Sequence, residues 1–349
     1  MNDNERFFPL PEYLLPWFYE NKRDLPWRKN KDAYAVWVSE IMLQQTRVEA
    51  AKAHYIRFMQ TLPDVFSLAA CDDEKLMKLW EGLGYYSRAR NLKKCAVRVV
   101  EEYGGVFPSD KALLLKLPGI GEYTAGAVSS IAYDKKNPAV DGNVLRVCAR
   151  VEGNFAPIDD AVGKKELYRR LESVYPEAAG DYTQSLMELG ALVCLPENPR
   201  CEACPVRGNC IAERDGLQSV LPVIPQKAEK RHEKLSVFLI LTPHGVAMKK
   251  RPEKGVLAGM YEFPNLPAES FGGDVREQIF SFGVKEGTIV EERNHTHVFT
   301  HLVWEMTAYA VKTLSAPETF EYFTAERLSR EISLASAFRW CAETVKKYE

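Results

Sequence analysis

Apolar residues recur at three- and four-residue spacing over 36–48, 76–83, 89–100, 111–117 and 182–193, the pattern of a helix with one buried face. Glycine and proline breaks separate these runs at Leu62-Pro63-Asp64, Tyr103-Gly104-Gly105 and Phe107-Pro108-Ser109. Either Ser109 or Asp110 is placed to cap a helix beginning at Lys111. Residues 12–218 therefore read as mainly helical. Over 219–234, prolines combine with a charge run, as in a linker. Beyond it, 235–248 reads as two strands around Pro243-His244-Gly245. The stretch 297–311 is rich in the aromatic and β-branched residues of strands. Helical spacing returns over 325–347. The expected architecture is a helical domain over 1–218, a linker over 219–234 and an α+β domain over 235–349.

A chain of 349 residues can support both cores. A formal charge of −2 excludes a strongly basic protein that coats nucleic acid. It leaves room for a local patch at Arg88, Arg90, Lys93, Lys94 and Arg98, which reads equally as a solvated helix face. The opening stretch, MNDNERFFPLPEYLLPW, lacks the cationic start and long apolar core of a secretory signal. No apolar run approaches the roughly 20 residues that span a bilayer. A cytoplasmic chain is expected, so its eight cysteines need a role other than disulfides.

Four of them, Cys194, Cys201, Cys204 and Cys210, are spaced C-x6-C-x2-C-x5-C in a segment rich in proline and glycine. A loop of that composition does not bury four thiols as core residues, and four thiolates can hold either zinc or an iron–sulfur cluster. Cys71, Cys95, Cys148 and Cys341 lack such spacing and read as core or surface thiols.

Two stretches carry candidate chemistry. In Leu117-Pro118-Gly119-Ile120-Gly121, two glycines before a helical run can bring bare amides to an anion, though the same turn serves as a tight helix–helix connection. Asp141 follows in Val140-Asp141-Gly142-Asn143, either a turn residue or a carboxylate beside that anion site. Glu40 lies among apolar neighbours, where a partly buried helix end would raise its pKa. As a bland alternative, Ser39-Glu40 starts a helix. Two carboxyls of unequal pKa suit acid-assisted cleavage of a glycosidic bond through an oxocarbenium-like state.

The run LPGIG-x-YTAGA followed by VDGN resembles the helix-hairpin-helix and catalytic-aspartate segment of base-excision DNA glycosylases. The cysteine spacing resembles the [4Fe-4S] loop of the endonuclease III superfamily. Residues 37–46 (WVSEIMLQQT), 25–28 (LPWR), 82–92 (GLGYYSRARNL) and 140–144 (VDGNV) closely match adenine DNA glycosylases of the MutY type. With the cysteine loop, the resemblance covers about residues 12–225.

The resemblance implies a helix-hairpin-helix over about 112–132 and a [4Fe-4S] cluster on the four cysteines, its loop (194–210) shaping a phosphate-binding surface with Arg200 and Arg207. It also implies removal of adenine opposite 8-oxoguanine or guanine in duplex DNA, by a monomer. Glu40 would protonate a flipped-out adenine at N7, and Asp141 would stabilise or trap the sugar cation. Tyr123 and Asn143 would line this site, with Arg23, Trp27, Arg28, Leu43 and Gln184 as the adenine-pocket wall. Gly119 and Gly121 would grip phosphate, and Gln45 and Tyr85 would enter the duplex beside the opposite base. Relatives that cleave the strand carry a lysine where this chain has Tyr123, which cannot form a Schiff base, so a monofunctional enzyme is expected.

Residues 235–349 resemble the Nudix-like C-terminal domain of the same family, chiefly through Gly259-Met260-Tyr261-Glu262-Phe263-Pro264. Residues 275–283 lack the paired glutamates of a working Nudix metal motif, which excludes a nucleotide-pool hydrolase. Phe299-Thr300-His301 stands where the family has Phe-Ser-His, the loop that meets 8-oxoguanine; threonine keeps the hydroxyl and adds a methyl. Glu40 and the extra domain argue against a thymine-directed relative. The presence of both Glu40 and Asp141 argues against a silent damage sensor.

Overall fold

The computed structural model describes residues 11–225, 229–252 and 254–348. Most of the stretch read for a secretory signal, and 226–228 of the expected linker, lie outside the described residues. The chain divides into two compact units, Met1–Ala70 with Asn91–Gln226, and Cys71–Arg90 with Lys227–Glu349.

The first unit is helical. Its elements are α1 (Pro11–Asn21), α2 (Ala33–Leu43), α3 (Val48–Thr61), α4 (Val65–Ala69), most of α6 (Ser87–Tyr103), α7 (Lys111–Leu114), α8 (Glu122–Tyr133), α9 (Gly142–Glu152), α10 (Ala161–Val174), α11 (Ala179–Leu192) and α12 (Ile211–Arg214). Aspartates start several of them by accepting first-turn amides: Asp32 from Ala35, Asp110 from Ala112, Asp141 from Val144 and Asp160 from Gly163. Asp110, rather than Ser109, is thus the cap of α7. Ala33 to Met42 are all buried, so α2 is a core helix apolar on every side. Helix α11 packs on α1, α8 and α9 around Leu14, Val144, Val147, Val151, Leu171, Tyr182, Leu186 and Leu189.

Small residues set how closely these helices approach. A Cβ on Gly126 would lie 2.1 Å from the Pro138 carbonyl oxygen, and one on Gly190 would lie 2.5 Å from Asn143 Cβ. Only glycine lets α8 and α11 close against the segments flanking Asp141.

Three of the expected helices stop well short of their apolar runs; that over 111–117 is helical only as α7, Lys111–Leu114. The run 36–48 breaks after Leu43, because Gln45 takes φ 60° and the chain restarts as α3. The run 76–83 ends at Leu79, ahead of Gly82 at φ 102°.

The second unit is α+β. Its strands are β1 (Arg231–Thr242), β2 (Gly245–Lys250), β3 (Tyr261–Glu262), β4 (Asn265–Pro267), β5 (Thr288–Val298), β6 (Leu302–Lys312) and β7 (Glu321–Phe323). They form one sheet in the order β3-β2-β1-β6-β5, with β4 on β1 and β7 on β2. β1 and β6 run parallel from Arg231↔Leu302 to Leu241↔Lys312, and β5 and β6 form an antiparallel hairpin. Helices α5 (Asp73–Leu79), α13 (Val275–Ser281), α14 (Ala325–Arg330) and α15 (Arg339–Tyr348) complete the unit. The segment 325–347, read as one helical stretch, is two helices joined through a short turn at Ser336–Phe338.

Segment Cys71–Arg90 joins this unit through polar side chains. Lys78 Nζ donates to the Ser329 and Ile332 carbonyls (2.7 and 3.1 Å), Arg90 Nη1 donates to the Ala258 carbonyl (2.8 Å), and Glu81 Oε1 accepts from the Leu334 amide (3.3 Å). The composition break near residue 219 does not anticipate this grouping.

Candidate active site and cysteine loop

A cavity of about 510 Å³ in the first unit gathers Arg23, Trp27, Arg28, Glu40, Leu43, Gln45, Tyr123, Asp141, Asn143 and Gln184. The residues proposed from sequence for acid, carboxylate and pocket wall thus line one space. Glu40 projects from within α2 and is only 6 % exposed. It is therefore a helix-body residue and does not start a helix. Tyr123, in the first turn of α8, donates its phenol O–H to Glu40 Oε2. Burial pushes the Glu40 carboxyl up to about 7, reinforced by Asp141 and opposed by the Tyr123 hydrogen bond and Arg28.

Asp141 caps α9, with Oδ1 accepting from the Val144 amide and Oδ2 from Asn143 Nδ2, both at 2.8 Å. Burial raises its pKa while those hydrogen bonds lower it, leaving a net rise. The Asn143 amide is oriented from both sides, since its Oδ1 accepts from Arg146 Nη2 at 2.8 Å. Arg146 also donates to the carbonyls of Gly190 and Cys194 (both 2.8 Å).

Glu188 was missed from sequence. It lies one turn after Gln184 on the same face of α11, its side chain 1 % exposed. Its carboxylate accepts from the Arg23 amide, Arg23 Nε and Nη2, and Arg28 Nη2, at 2.8–2.9 Å. Burial alone would raise its pKa, but the two arginines prevail and hold it at about 2. The sequence signal for it is a lone acid in the apolar run 182–193, four residues after Gln184.

The turn before α8 has Gly119 at φ 75°, where a Cβ would lie 2.7 Å from Asn91 Cβ. Gly121 caps α8 without a side chain, so its first-turn amides receive no side-chain acceptor from the cap.

Tyr85 lies in the second unit, 49 % exposed and at φ 46° between glycines and Tyr86. Its hydroxyl shares a 2.6 Å hydrogen bond with Thr300 Oγ1. Phe299-Thr300-His301 forms the turn of the β5–β6 hairpin, so the strand read over 297–311 is interrupted there. Phe299 packs edge-on against His297 and Trp304, leaving Thr300 and His301 exposed. Arg88 stacks over Trp80 and Tyr85 and donates to the Leu83 and Gly84 carbonyls, while Arg98 pairs with Glu102. Arg88 and Arg90 are thus engaged within the fold, while the Arg98–Glu102 pair lies on the surface. On α13, Gln278 is buried and donates to the Ala268 and Ser270 carbonyls, and Phe280 and Ser281 stand where the Nudix motif has its paired glutamates.

All four loop cysteines line one cavity, walled by Val147, Val151, Leu189, Val193 and Val206. Among the described residues no three His, Cys, Asp or Glu side chains are grouped to hold a metal ion. Burial, reinforced by the neighbouring cysteines, pushes the Cys204 thiol up to about 12. Cys71, Cys95, Cys148 and Cys341 are buried elsewhere. Arg207 pairs with Glu213. Among the described residues no helix is long and apolar enough to cross a membrane.

Residues 38–177 match the family model described as "HhH-GPD superfamily base excision DNA repair protein", and residues 236–344 match "NUDIX domain". The chain is 38% identical over 312 residues to an adenine DNA glycosylase of Rattus norvegicus, covering 74% of this chain and 60% of that protein. It therefore spans about three fifths of that relative's length. An adenine DNA glycosylase of Buchnera aphidicola (from Acyrthosiphon pisum) is 35% identical over 264 residues, 73% of each chain. Among solved structures, one described as a thermostable thymine-DNA glycosylase superposes with TM-score 0.53 at 29% identity, over 58% of this chain and 94% of that one. From the match to the Buchnera protein over most of both lengths, and from the paired HhH-GPD and NUDIX domains, this chain belongs to the adenine DNA glycosylase family.

Proposed function

We propose that the protein hydrolyses the N-glycosidic bond of adenine paired with 8-oxoguanine or guanine in duplex DNA and leaves an abasic site. The observation that carries this reading is one cavity holding a carboxyl poised near neutrality beside a second, hydrogen-bonded carboxylate. Glu40 delivers its proton to N7 of the flipped adenine, making the base a neutral leaving group. Asp141, aimed by Asn143 and the Val144 amide, stabilises the oxocarbenium ion or traps it before water completes hydrolysis. Tyr123 positions Glu40, and Trp27, Leu43, Gln184 and the Arg23–Glu188–Arg28 cluster form the wall that meets the base. Among the described residues no lysine lines the cavity, which supports base release without strand cleavage.

In this reading the Gly119–Gly121 amides hold a phosphate, Gln45 and Tyr85 enter the stack, and Phe299-Thr300-His301 reads the opposite base. The helical domain and the Nudix-like domain divide the work, with Cys71–Arg90 grouped with the latter and β1 beginning at Arg231 within the expected linker, and the protein acts as a cytoplasmic monomer. The four cysteines hold a [4Fe-4S] cluster; their all-thiol donor set around one cavity fits that group. When bound, the cluster supplies a compact core on which the loop is ordered.

The test is single-turnover base release from duplexes placing adenine opposite 8-oxoguanine, guanine or thymine, read with and without hot alkali. Fast release opposite 8-oxoguanine with breaks only after alkali is expected. Equal rates for the three partners would remove the lesion-reading role of Phe299-Thr300-His301. Breaks without alkali would remove the monofunctional assignment.

A further inference from the structure

Arg150, on the last turn of α9, is 2 % exposed and faces the cysteine loop. A guanidinium has five N–H donors in a fixed fork. Here every one is used. Nε donates to the Leu221 carbonyl (2.9 Å), and Nη2 donates to those of Pro196 and Gln218 (both 2.8 Å). Nη1 donates to the Leu195 carbonyl (2.5 Å) and to Cys194 Sγ (3.5 Å). These acceptors come from the start of the loop, 194–196, and from the segment that leaves it, 218–221. Gln218, whose carbonyl Arg150 holds, also places its amide 3.9 Å from Cys201 Sγ.

We infer that Arg150 is a positioning residue for the cysteine-held cofactor: it staples the two ends of the loop and, through its N–H toward Cys194 Sγ, sets the electron richness of that thiolate. This rests on the cluster reading above. A buried cation donating to a cluster sulfur stabilises the more negatively charged, reduced form, so it raises the reduction potential. Stapling both ends also keeps the four sulfurs around one cavity when thermal motion would open the loop. A residue that merely filled space would produce neither effect.

The test uses the full chain, reconstituted anaerobically with iron and sulfide, as wild type, Arg150→Met and Arg150→Lys. Cluster loss to a chelator is followed by the visible sulfur-to-iron absorption, and the midpoint potential is measured electrochemically without DNA. Arg150→Met is expected to lose its cluster at least tenfold faster. At fixed applied potential its oxidised-to-reduced ratio is expected to rise by about tenfold, or about 59 mV for a one-electron couple. Arg150→Lys, which keeps the charge without the fork, should recover part of the potential and little of the retention. Where Arg150→Met does not fold, Arg150→Lys alone decides, through its retention. Unchanged retention and potential in the folded variants would overturn the inference while leaving the cluster reading intact. A wild-type chain that binds no iron and sulfide would overturn the cluster reading itself.

Discussion

Replacing Tyr123 by phenylalanine isolates one interaction, because the ring stays and only the O–H to Glu40 Oε2 is lost. A hydrogen bond to a charged group contributes about 1.5–3 kcal/mol, and one pKa unit corresponds to about 1.36 kcal/mol. The phenol stabilises the ionised form of Glu40, so its loss raises a carboxyl already near 7 by about 1–2 units. Glu40 must be protonated to act as the acid, so the wild-type rate should fall as pH rises through about 7. In Tyr123→Phe that fall should move toward about 8–9, whatever happens to the maximal rate. The assay is single-turnover adenine release from pH 5 to 10, with Glu40→Gln as the control that has no such limb. A basic limb that stays in place, or moves to lower pH, would refute the assignment of Glu40 as the titrating acid positioned by Tyr123.

Glu40→Gln removes a carboxyl whose folded pKa lies above its unfolded 4.5, a group that favours the fold below about 4.5 and loses that effect as pH rises through about 7. The variant should therefore gain up to about 3 kcal/mol over wild type at pH 8 and little at pH 4, read by denaturant unfolding. Glu188 has the opposite sign: held at about 2, it stabilises above about 4.5 and loses that effect as pH falls through 2. Glu188→Gln should cost on the order of 3 kcal/mol at pH 7, read by the same unfolding series, with a shrinking deficit toward pH 2. Gly190→Ala places a methyl 2.5 Å from Asn143 Cβ, so it should slow base release at least tenfold with DNA binding little changed, compared by single-turnover rate and binding titration. Tyr85→Phe and Thr300→Val each break the same exposed hydrogen bond, so each should lower the rate opposite 8-oxoguanine by about two- to tenfold, and the double variant should be no worse than either.

Part of the site was legible from local chemistry, and most of its residues only through their match to glycosylase motifs. A cap before Lys111 followed from side chains that compete for first-turn amides, though not the choice of Asp110 over Ser109, and the apolar flanks of Glu40 announced its burial; that Asp141 caps α9 was not read from sequence. The rest depended on partners distant in sequence. Gln45 ends α2 in a left-handed conformation that no glycine signals. Glu188 is explained only by Arg23 and Arg28, more than 150 residues earlier. The hairpin turn at Phe299-Thr300-His301 interrupts residues whose composition suits a continuous strand. Segment Cys71–Arg90 has helical spacing like its neighbours, and the lysine and arginine hydrogen bonds that tie it to the second unit end on backbone carbonyls, which leave no periodic trace.

That last grouping has a bearing on synthesis. Lys78 finds its acceptor at Ser329, 251 residues later, and Arg90 finds its own at Ala258, 168 residues later. At about 5–20 residues per second, the ribosome needs roughly 10–50 s to deliver those carbonyls after Lys78 has emerged. During that interval Lys78, Tyr85 and Arg90 exist while the groups they bond at Ser329, Thr300 and Ala258 do not, and a chain stopped at the linker would never make those groups. The second unit is therefore the last part of the molecule to be completed, although it includes some of the first hundred residues made.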